Sequence, residues 1–90
     1  MSTTIRVSIS GSDISKLRSA LASFLVTKGM KRRGSVEFFD DRALSPSETS
    51  DIISGVYEQE AKFLPTRITT LVIRSRLVNV EIKRDEYRSI

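Results

Sequence analysis

The sequence predicts an α+β domain in which two helices pack on one face of a four-stranded mixed sheet, in the order βαβαββ. Three observations predict this fold. Apolar and polar residues alternate in short runs near both ends of the chain, which is typical of strands with one buried face. Apolar residues recur at three- and four-residue steps in two longer segments, and a helix-capping sequence opens the second of them. The 90 residues are expected to form one domain, residues 1–90, around a single core.

The first strand and the first helix are predicted by the period of their apolar residues. Residues 5–9 alternate between aliphatic and polar side chains, so they form the first strand. Ser12 is expected to cap the helix that follows, and Gly29 to end it in the left-handed conformation that favours glycine. The apolar face of this helix consists of Ile14, Leu17, Leu21, Phe24 and Leu25.

A second strand and a second helix follow in the middle of the chain. Residues 35–38 alternate in polarity and predict a short strand, after a basic turn over residues 30–34. The sequence Ser45-Pro46-Ser47-Glu48 then offers an N-cap serine, a proline at the first helical position and a glutamate at the third. This capping box predicts the start of the second helix, and Pro65 is expected to end it.

The last third of the chain predicts a hairpin. Residues 68–73 and 77–83 are rich in β-branched side chains and predict two antiparallel strands. No glycine or asparagine marks the turn at residues 74–76, so one long bent strand is the alternative. Each strand–helix–strand step is expected to join parallel strands, which together with the hairpin makes the sheet mixed.

Charge is sorted into three blocks along the chain. Residues 1–36 carry a net charge of +6, residues 37–61 a net charge of −6, and residues 62–90 a net charge of +4. Sorted charge is typical of proteins that recognise a polyanion or a charged face of a partner. Arginine outnumbers lysine ten to five, and arginine binds phosphate in a bidentate geometry.

Several classes of function are disfavoured by the composition. The chain contains no histidine and no cysteine, which removes the commonest general base, the thiol nucleophile and the soft metal ligands. Acidic side chains at residues 37, 40 and 41 have no further ligand motif around them, so we predict neither a metal site nor a cofactor, and no enzymatic activity. The longest apolar stretch, residues 20–26, is too short for a membrane span. We expect a cytoplasmic protein, associated with the nucleoid if it binds DNA.

Three stretches carry a resemblance to a known family. The first runs from Ala20-Leu21 to Gly29, the second is Arg42-Ala43-Leu44-Ser45, and the third is Phe63-Leu64-Pro65. In this order, and with a basic terminal hairpin, they resemble the Alba chromatin proteins of archaea and their RNA-binding relatives. The layout is also similar to that of the C-terminal domain of translation initiation factor 3. The bacterial stage V sporulation S proteins resemble it about as well as the Alba proteins do. Ser10-Gly11-Ser12-Asp13 stands where the Alba family has a lysine pair.

The resemblance implies a homodimer that binds nucleic acid without catalysis. It implies that the hairpin enters a groove of double-stranded DNA or structured RNA, that Arg42 contacts nucleic acid, and that Phe63 lies between dimers. A local salt bridge of Arg42 with a neighbouring aspartate is the alternative. Gly55 inside the second helix predicts a close packing contact, against the sheet or a dimer mate. The predicted oligomer interface is Gly55, Phe63 and Leu64.

Two groups of basic residues are the main candidates for nucleic-acid contacts. The turn after the first helix carries Lys31, Arg32 and Arg33, and the hairpin carries Arg67, Arg74 and Arg76. Both groups have structural alternatives, because cations stabilise a helix C-terminus and charges on edge strands prevent aggregation. The adjacent Phe38 and Phe39 point to opposite faces of their strand, and an exposed aromatic there would allow stacking on bases.

The acidic block supports a second hypothesis, a protein-interaction or assembly module of cellular or viral origin that binds no nucleic acid. An acidic surface repels a polyanion unless it points away from it. Nucleic-acid binding therefore requires that the acidic second helix lie opposite the basic hairpin.

Overall fold

The computed structural model describes residues 2–84, and within them the chain forms two helices and a five-stranded sheet. The elements are β1 (Thr3–Ser10), α1 (Ile14–Thr27), β2 (Lys31–Arg32), β3 (Glu37–Asp40), α2 (Pro46–Ala61), β4 (Arg67–Arg74) and β5 (Asn79–Lys83). The strand order is β2-β3-β1-β4-β5, and all neighbouring strands of this described region pair antiparallel. The α+β class with two helices is confirmed, whereas the predicted four-stranded mixed sheet is wrong.

The extra strand β2 explains the difference from the predicted sheet. After α1 the chain forms this two-residue strand at the sheet edge and then reverses, and the N–H groups of Arg33 and Gly34 donate to the Glu37 carbonyl oxygen at 2.8 and 3.3 Å. As a result β3 lies between β2 and β1 and runs antiparallel to β1. Residues 30–34 were predicted to be a turn because two strand residues are too few to show an alternation.

Both helices connect strands that run in the same direction but are not neighbours. β1 and β2 are parallel with β3 between them, and β3 and β4 are parallel with β1 between them. The parallel direction expected for the step through α2 is confirmed for β3 and β4. The step through α1 was expected to make residues 35–38 parallel to β1, and this is wrong because β3 runs antiparallel to β1. The strands joined by each helix do not pair with each other, because the β2–β3 hairpin and β4 pair with the two sides of β1.

One face of the sheet and both helices share a single core. Phe38 and Leu71 of the sheet, Leu21 of α1 and Val56 of α2 belong to one cluster of buried side chains, each at most 2% exposed. Residues 3, 5 and 7 of β1 are buried, whereas residues 6 and 8 between and after them are exposed. Because the buried strand residues share one face, α1 and α2 both lie on that face.

The predicted capping box is present at the start of α2. The Ser45 hydroxyl accepts from the Glu48 N–H at 3.1 Å, and the Glu48 carboxylate accepts from the Ser45 N–H at 3.0 Å. These hydrogen bonds to Ser45 hold the pKa of Glu48 below its ordinary value, because they favour the charged carboxylate. Pro46 is the first helical residue, as predicted.

The start of α1 differs from the prediction. Asp13, not Ser12, is the residue that precedes the helix, and its side chain makes no capping hydrogen bond. Its backbone N–H instead donates to the Thr66 hydroxyl at 2.8 Å, a contact across 53 residues that periodicity cannot reveal. The end of α1 is as predicted, since Gly29 has a φ of +93°.

The last two strands form the predicted hairpin, and its turn is held by the side chain of a serine. The Ser75 N–H donates to the Val78 carbonyl oxygen at 2.8 Å. The Ser75 hydroxyl accepts from the N–H groups of Leu77 and Val78 at 3.2 and 3.1 Å. These side-chain hydrogen bonds satisfy the turn without a residue at positive φ.

The buried carboxylate of Glu60 links α2 to the last two strands. Glu60 is 6% exposed, accepts from the Ile68 N–H at 2.7 Å and forms an ion pair with Arg84. The Arg84 guanidinium also lies 4.9 Å from the centroid of the Tyr57 ring. Burial raises the pKa of the Tyr57 hydroxyl above its ordinary value.

We predict that Gly11→Ala destabilises the domain by roughly 2–4 kcal/mol, from backbone strain and overpacking. Gly11 has a φ of +139°, and a Cβ there would lie 2.6 Å from the Cα of Thr66. Chemical denaturation measures the change. Gly34→Ala is the matched control, because no atom lies within 4 Å of its added Cβ. Equal stability of both variants would contradict the prediction.

Candidate nucleic-acid interface

The sheet face turned away from the helices, which we call the open face, is exposed in the described part of the chain. It is built from alternate strand positions, and the register aligns Lys31, Phe39, Thr4 and Arg74 across four neighbouring strands. This row is about 14 Å long, from three strand spacings of about 4.8 Å. It brings together residues that are up to 70 positions apart in the sequence.

Basic side chains outnumber acidic ones on the open face. The basic ones among the described residues are Arg6, Lys31, Arg33, Arg74 and Lys83, and the acidic ones are Glu37 and Glu81. The sequence analysis predicted Lys31, Arg33 and Arg74 as contact residues from two separate groups. The sheet register joins the two groups into one surface.

Arg6 was not predicted as a site residue, yet it lies on the central strand in the middle of this surface. Its side chain is exposed, and no carboxylate among residues 2–84 forms an ion pair with it. A shallow depression of about 260 Å³ adjoins it, lined also by Ser8, Val36, Thr70 and Val72. Arg6 is at a polar position in the alternation of β1, and this is the signal that could have identified it. The sequence does not show that β1 is the central strand or that this face of the sheet is uncovered.

Phe38 and Phe39 point to opposite faces, as predicted. Phe38 is in the core at 1% exposed, whereas Phe39 is half-buried on the open face. The Arg33 guanidinium lies 4.4 Å from the centroid of the Phe39 ring, and the Lys31 ammonium 5.7 Å from it. The two cations near the ring attract anionic ligands, and the ring and the guanidinium are flat groups on which bases stack.

The ion pairs on the open face are exposed and leave the basic residues available. Arg33 pairs with Glu37 at 3.6 Å, and Arg74 and Lys83 each pair with Glu81 at 3.3 Å. Lys31 pairs at 3.3 Å with Asp41, which directly follows β3. Arg74 also donates to the Asn79 side chain. Exposed pairs of this kind contribute about 0–1 kcal/mol each, so a phosphate can replace the carboxylate at little cost.

The other predicted hairpin and turn residues lie apart from this surface. Arg76 is exposed in the β4–β5 turn, whereas Arg67 is at the opposite end of β4, about 23 Å from Arg74 along the strand. Arg32 is opposite Phe38 in the register and therefore on the helix side, where its guanidinium donates to the carbonyl oxygens of Gly34 and Ser35.

Arg42 is engaged by carboxylates on the helix side of the sheet. Its guanidinium pairs with Asp40 at 2.8 Å and with Glu48 at 3.5 Å, and its backbone N–H donates to Asp40 at 2.9 Å. The hydrogen bond from this guanidinium holds the pKa of the buried Asp40 carboxyl below its ordinary value. The local salt bridge that sequence analysis gave as the alternative is therefore present.

The acidic helix lies on the side of the sheet opposite the open face. Glu48, Asp51 and Glu58 are exposed on α2, and α2 packs on the buried face of the sheet. A further acidic residue of α2, Glu60, is buried and paired with Arg84. The exposed acidic residues of α2 therefore lie on the side of the sheet away from the open face.

The three predicted interface residues lie in different environments. Gly55 is buried, and a Cβ there would overlap the Phe24 ring, so its close packing contact is with α1 and not with the sheet or a dimer mate as predicted. Phe63 is half-buried beside a groove along α1, and Leu64 is 60% exposed. The dimer interface itself stays a prediction.

Residues 2–84 contain neither a cluster of metal ligands nor a membrane-spanning helix. No group of three or more acidic side chains in this part of the chain is arranged to hold a metal ion. Neither described helix is long and apolar enough to cross a membrane.

Comparison of the chain with models of known protein families and with curated proteins gives no match to either. The resemblance to the Alba proteins therefore stays a prediction from the sequence.

We predict that Arg42→Gln lowers the free energy of unfolding at neutral pH and that this loss disappears in acid. Because the folded pKa of Asp40 is lowered, its stabilisation is complete above the ordinary value of 3.8 and is lost as pH falls through the lowered value. Chemical denaturation between neutral pH and about pH 2 measures this dependence. Arg76→Gln is the control, since it removes the same charge from the turn. A loss for Arg42→Gln that is equal at both ends of the pH range would contradict the prediction.

Proposed function

We propose that this protein is a non-catalytic nucleic-acid-binding protein that holds the phosphate backbone against its open face. The observation that carries this proposal is the cluster of Arg6, Lys31, Arg33 and Arg74 on one uncovered sheet face. The exposed acidic residues of α2 lie on the other side of the domain, so they do not oppose a polyanion bound there.

Phosphate contacts account for binding by such a surface. Each basic side chain that neutralises a phosphate releases counterions, and arginine adds bidentate hydrogen bonds to the phosphate oxygens. Backbone contacts of this kind position a nucleic acid without reading its sequence. We therefore propose binding with little sequence preference.

The ligand proposed from the sequence is double-stranded DNA or structured RNA, bound by a homodimer similar to the Alba proteins. In this proposal the β4–β5 hairpin, with Arg74 and Arg76, reaches the nucleic acid beyond the edge of the open face. Support for it comes from the exposed position of Arg76 in the turn and from the exposed Leu64, which a second copy would cover.

We predict that the affinity for a short duplex falls on the order of 100-fold between about 50 and 200 mM salt, if four basic residues neutralise phosphates. The double variant Arg6→Gln/Arg74→Gln is expected to bind more weakly and to reduce the log–log salt slope by roughly two units. A fluorescence-anisotropy titration with duplex DNA and duplex RNA at several salt concentrations measures both quantities.

The matched control is Lys16→Gln/Lys62→Gln, which removes the same charge from exposed positions on the helix side of the domain. It is expected to keep the wild-type salt slope. Equal losses in the two double variants would show that net charge, not the open face, attracts the nucleic acid. A weak signal that does not change with salt would overturn the proposal.

A second candidate function is assembly with further copies of the chain. It is favoured by the exposed Glu48, Asp51 and Glu58 on α2, which lie opposite the basic open face. Contact between these unlike faces is heterologous and would extend from copy to copy. Light scattering over a concentration series is then expected to show a growing mass that added salt reduces. A strict monomer at all concentrations would contradict this candidate.

A further inference from the structure

Phe39 is an aromatic residue that the core of the domain does not use. The core cluster and the half-buried apolar residues packed against it include Phe38, but Phe39 belongs to neither group. Its ring instead lies on the open face, in the row between Lys31 and Thr4. Phe39 is half-buried there, so part of its ring environment is open to a ligand.

The surroundings of Phe39 match the needs of a nucleotide. The Arg33 guanidinium lies over the ring, 4.4 Å from its centroid, so a base can stack on the guanidinium plane or displace it from the ring. Bases that are not paired stack on aromatic rings and on guanidinium planes. Arg6 is diagonal to Phe39 in the register, at about 7–8 Å between Cα atoms, and Arg74 is two strands away, at about 10 Å. A base on Phe39 thus leaves its phosphates within reach of two arginines.

The width of the open face determines whether paired or unpaired bases can stack on Phe39. Five strands span about 19 Å, whereas the major groove of duplex DNA is about 12 Å wide and admits a two-stranded ribbon. The sheet face therefore cannot enter the groove, and bases inside a duplex are covered on both sides by their neighbours. Only an unpaired base can lie flat on the Phe39 ring.

We infer that Phe39 and Arg33 form a stacking platform for an unpaired base of a single-stranded segment of DNA or RNA, with Arg6 and Arg74 at the adjacent phosphates. This inference rests on the proposed function, which requires only phosphate contacts. It adds a preference for nucleic acid that presents free bases.

The experiment compares two labelled single strands of equal length and charge, oligothymidylate and an abasic oligonucleotide, by fluorescence anisotropy with the wild-type chain. Stacking is expected to make oligothymidylate bind roughly 5- to 100-fold more tightly than the abasic strand. Phe39→Leu keeps an apolar side chain and is expected to remove this difference, so that the two strands bind with similar affinity. Phe39→Tyr keeps the ring and is expected to retain the difference.

The outcomes separate the inference from the proposed function. Equal wild-type affinities for the two strands would overturn the stacking platform, and this comparison needs no variant to fold. A base-dependent difference that survives in Phe39→Leu would also overturn it. In either case salt-dependent binding of both strands leaves the proposed function intact. No binding of either strand or of a duplex would overturn both, and leaves the open face to a protein partner.

Discussion

The central position of β1 is the constraint on which both faces of the domain depend. β1 pairs with β3 on one side and with β4 on the other, so its two-residue period is imposed on the whole sheet. Ile5 and Val7 point into the core, and Arg6 between them points to the open face. Buried Thr3 adds a polar anchor, since its hydroxyl donates to the Arg42 carbonyl and accepts from the Leu44 N–H. A register slip by one residue would reverse every one of these positions.

The sorting of charge along the chain becomes a sorting of charge in space. The basic first block supplies β1 and β2, and the basic last block supplies β4 and β5, so the sheet collects cations from both ends of the sequence. The acidic middle block supplies α2 on the other side. Two acidic residues of that block are buried and paired, Asp40 with Arg42 and Glu60 with Arg84, and they hold the fold together instead of facing solvent.

Structural features that depend on a few adjacent residues were predictable from the sequence, and features that depend on partners far along the chain were not. The capping box at Ser45 and the glycine at the end of α1 were correct because a few adjacent residues satisfy their hydrogen bonds and backbone angles. The two-residue β2 was missed because its only support is the pairing with β3. The expected Ser12 cap was wrong because the residue before the helix is Asp13, whose N–H is bound by Thr66 far along the chain.

The sequence by itself determined the α+β class, both helices, the alternation that sends Phe38 and Phe39 to opposite faces, and the separation of charge into blocks. Only the tertiary structure decided which strands are neighbours, and with that which basic residues act together. The strand order places Lys31 and Arg74 on one surface, with Arg6 at its centre. Arg42 instead forms an ion pair with Asp40 on the helix side of the sheet. The physical reason is that periodicity fixes the face on which a side chain lies, whereas its neighbours are fixed by hydrogen bonds between strands that are distant in the chain.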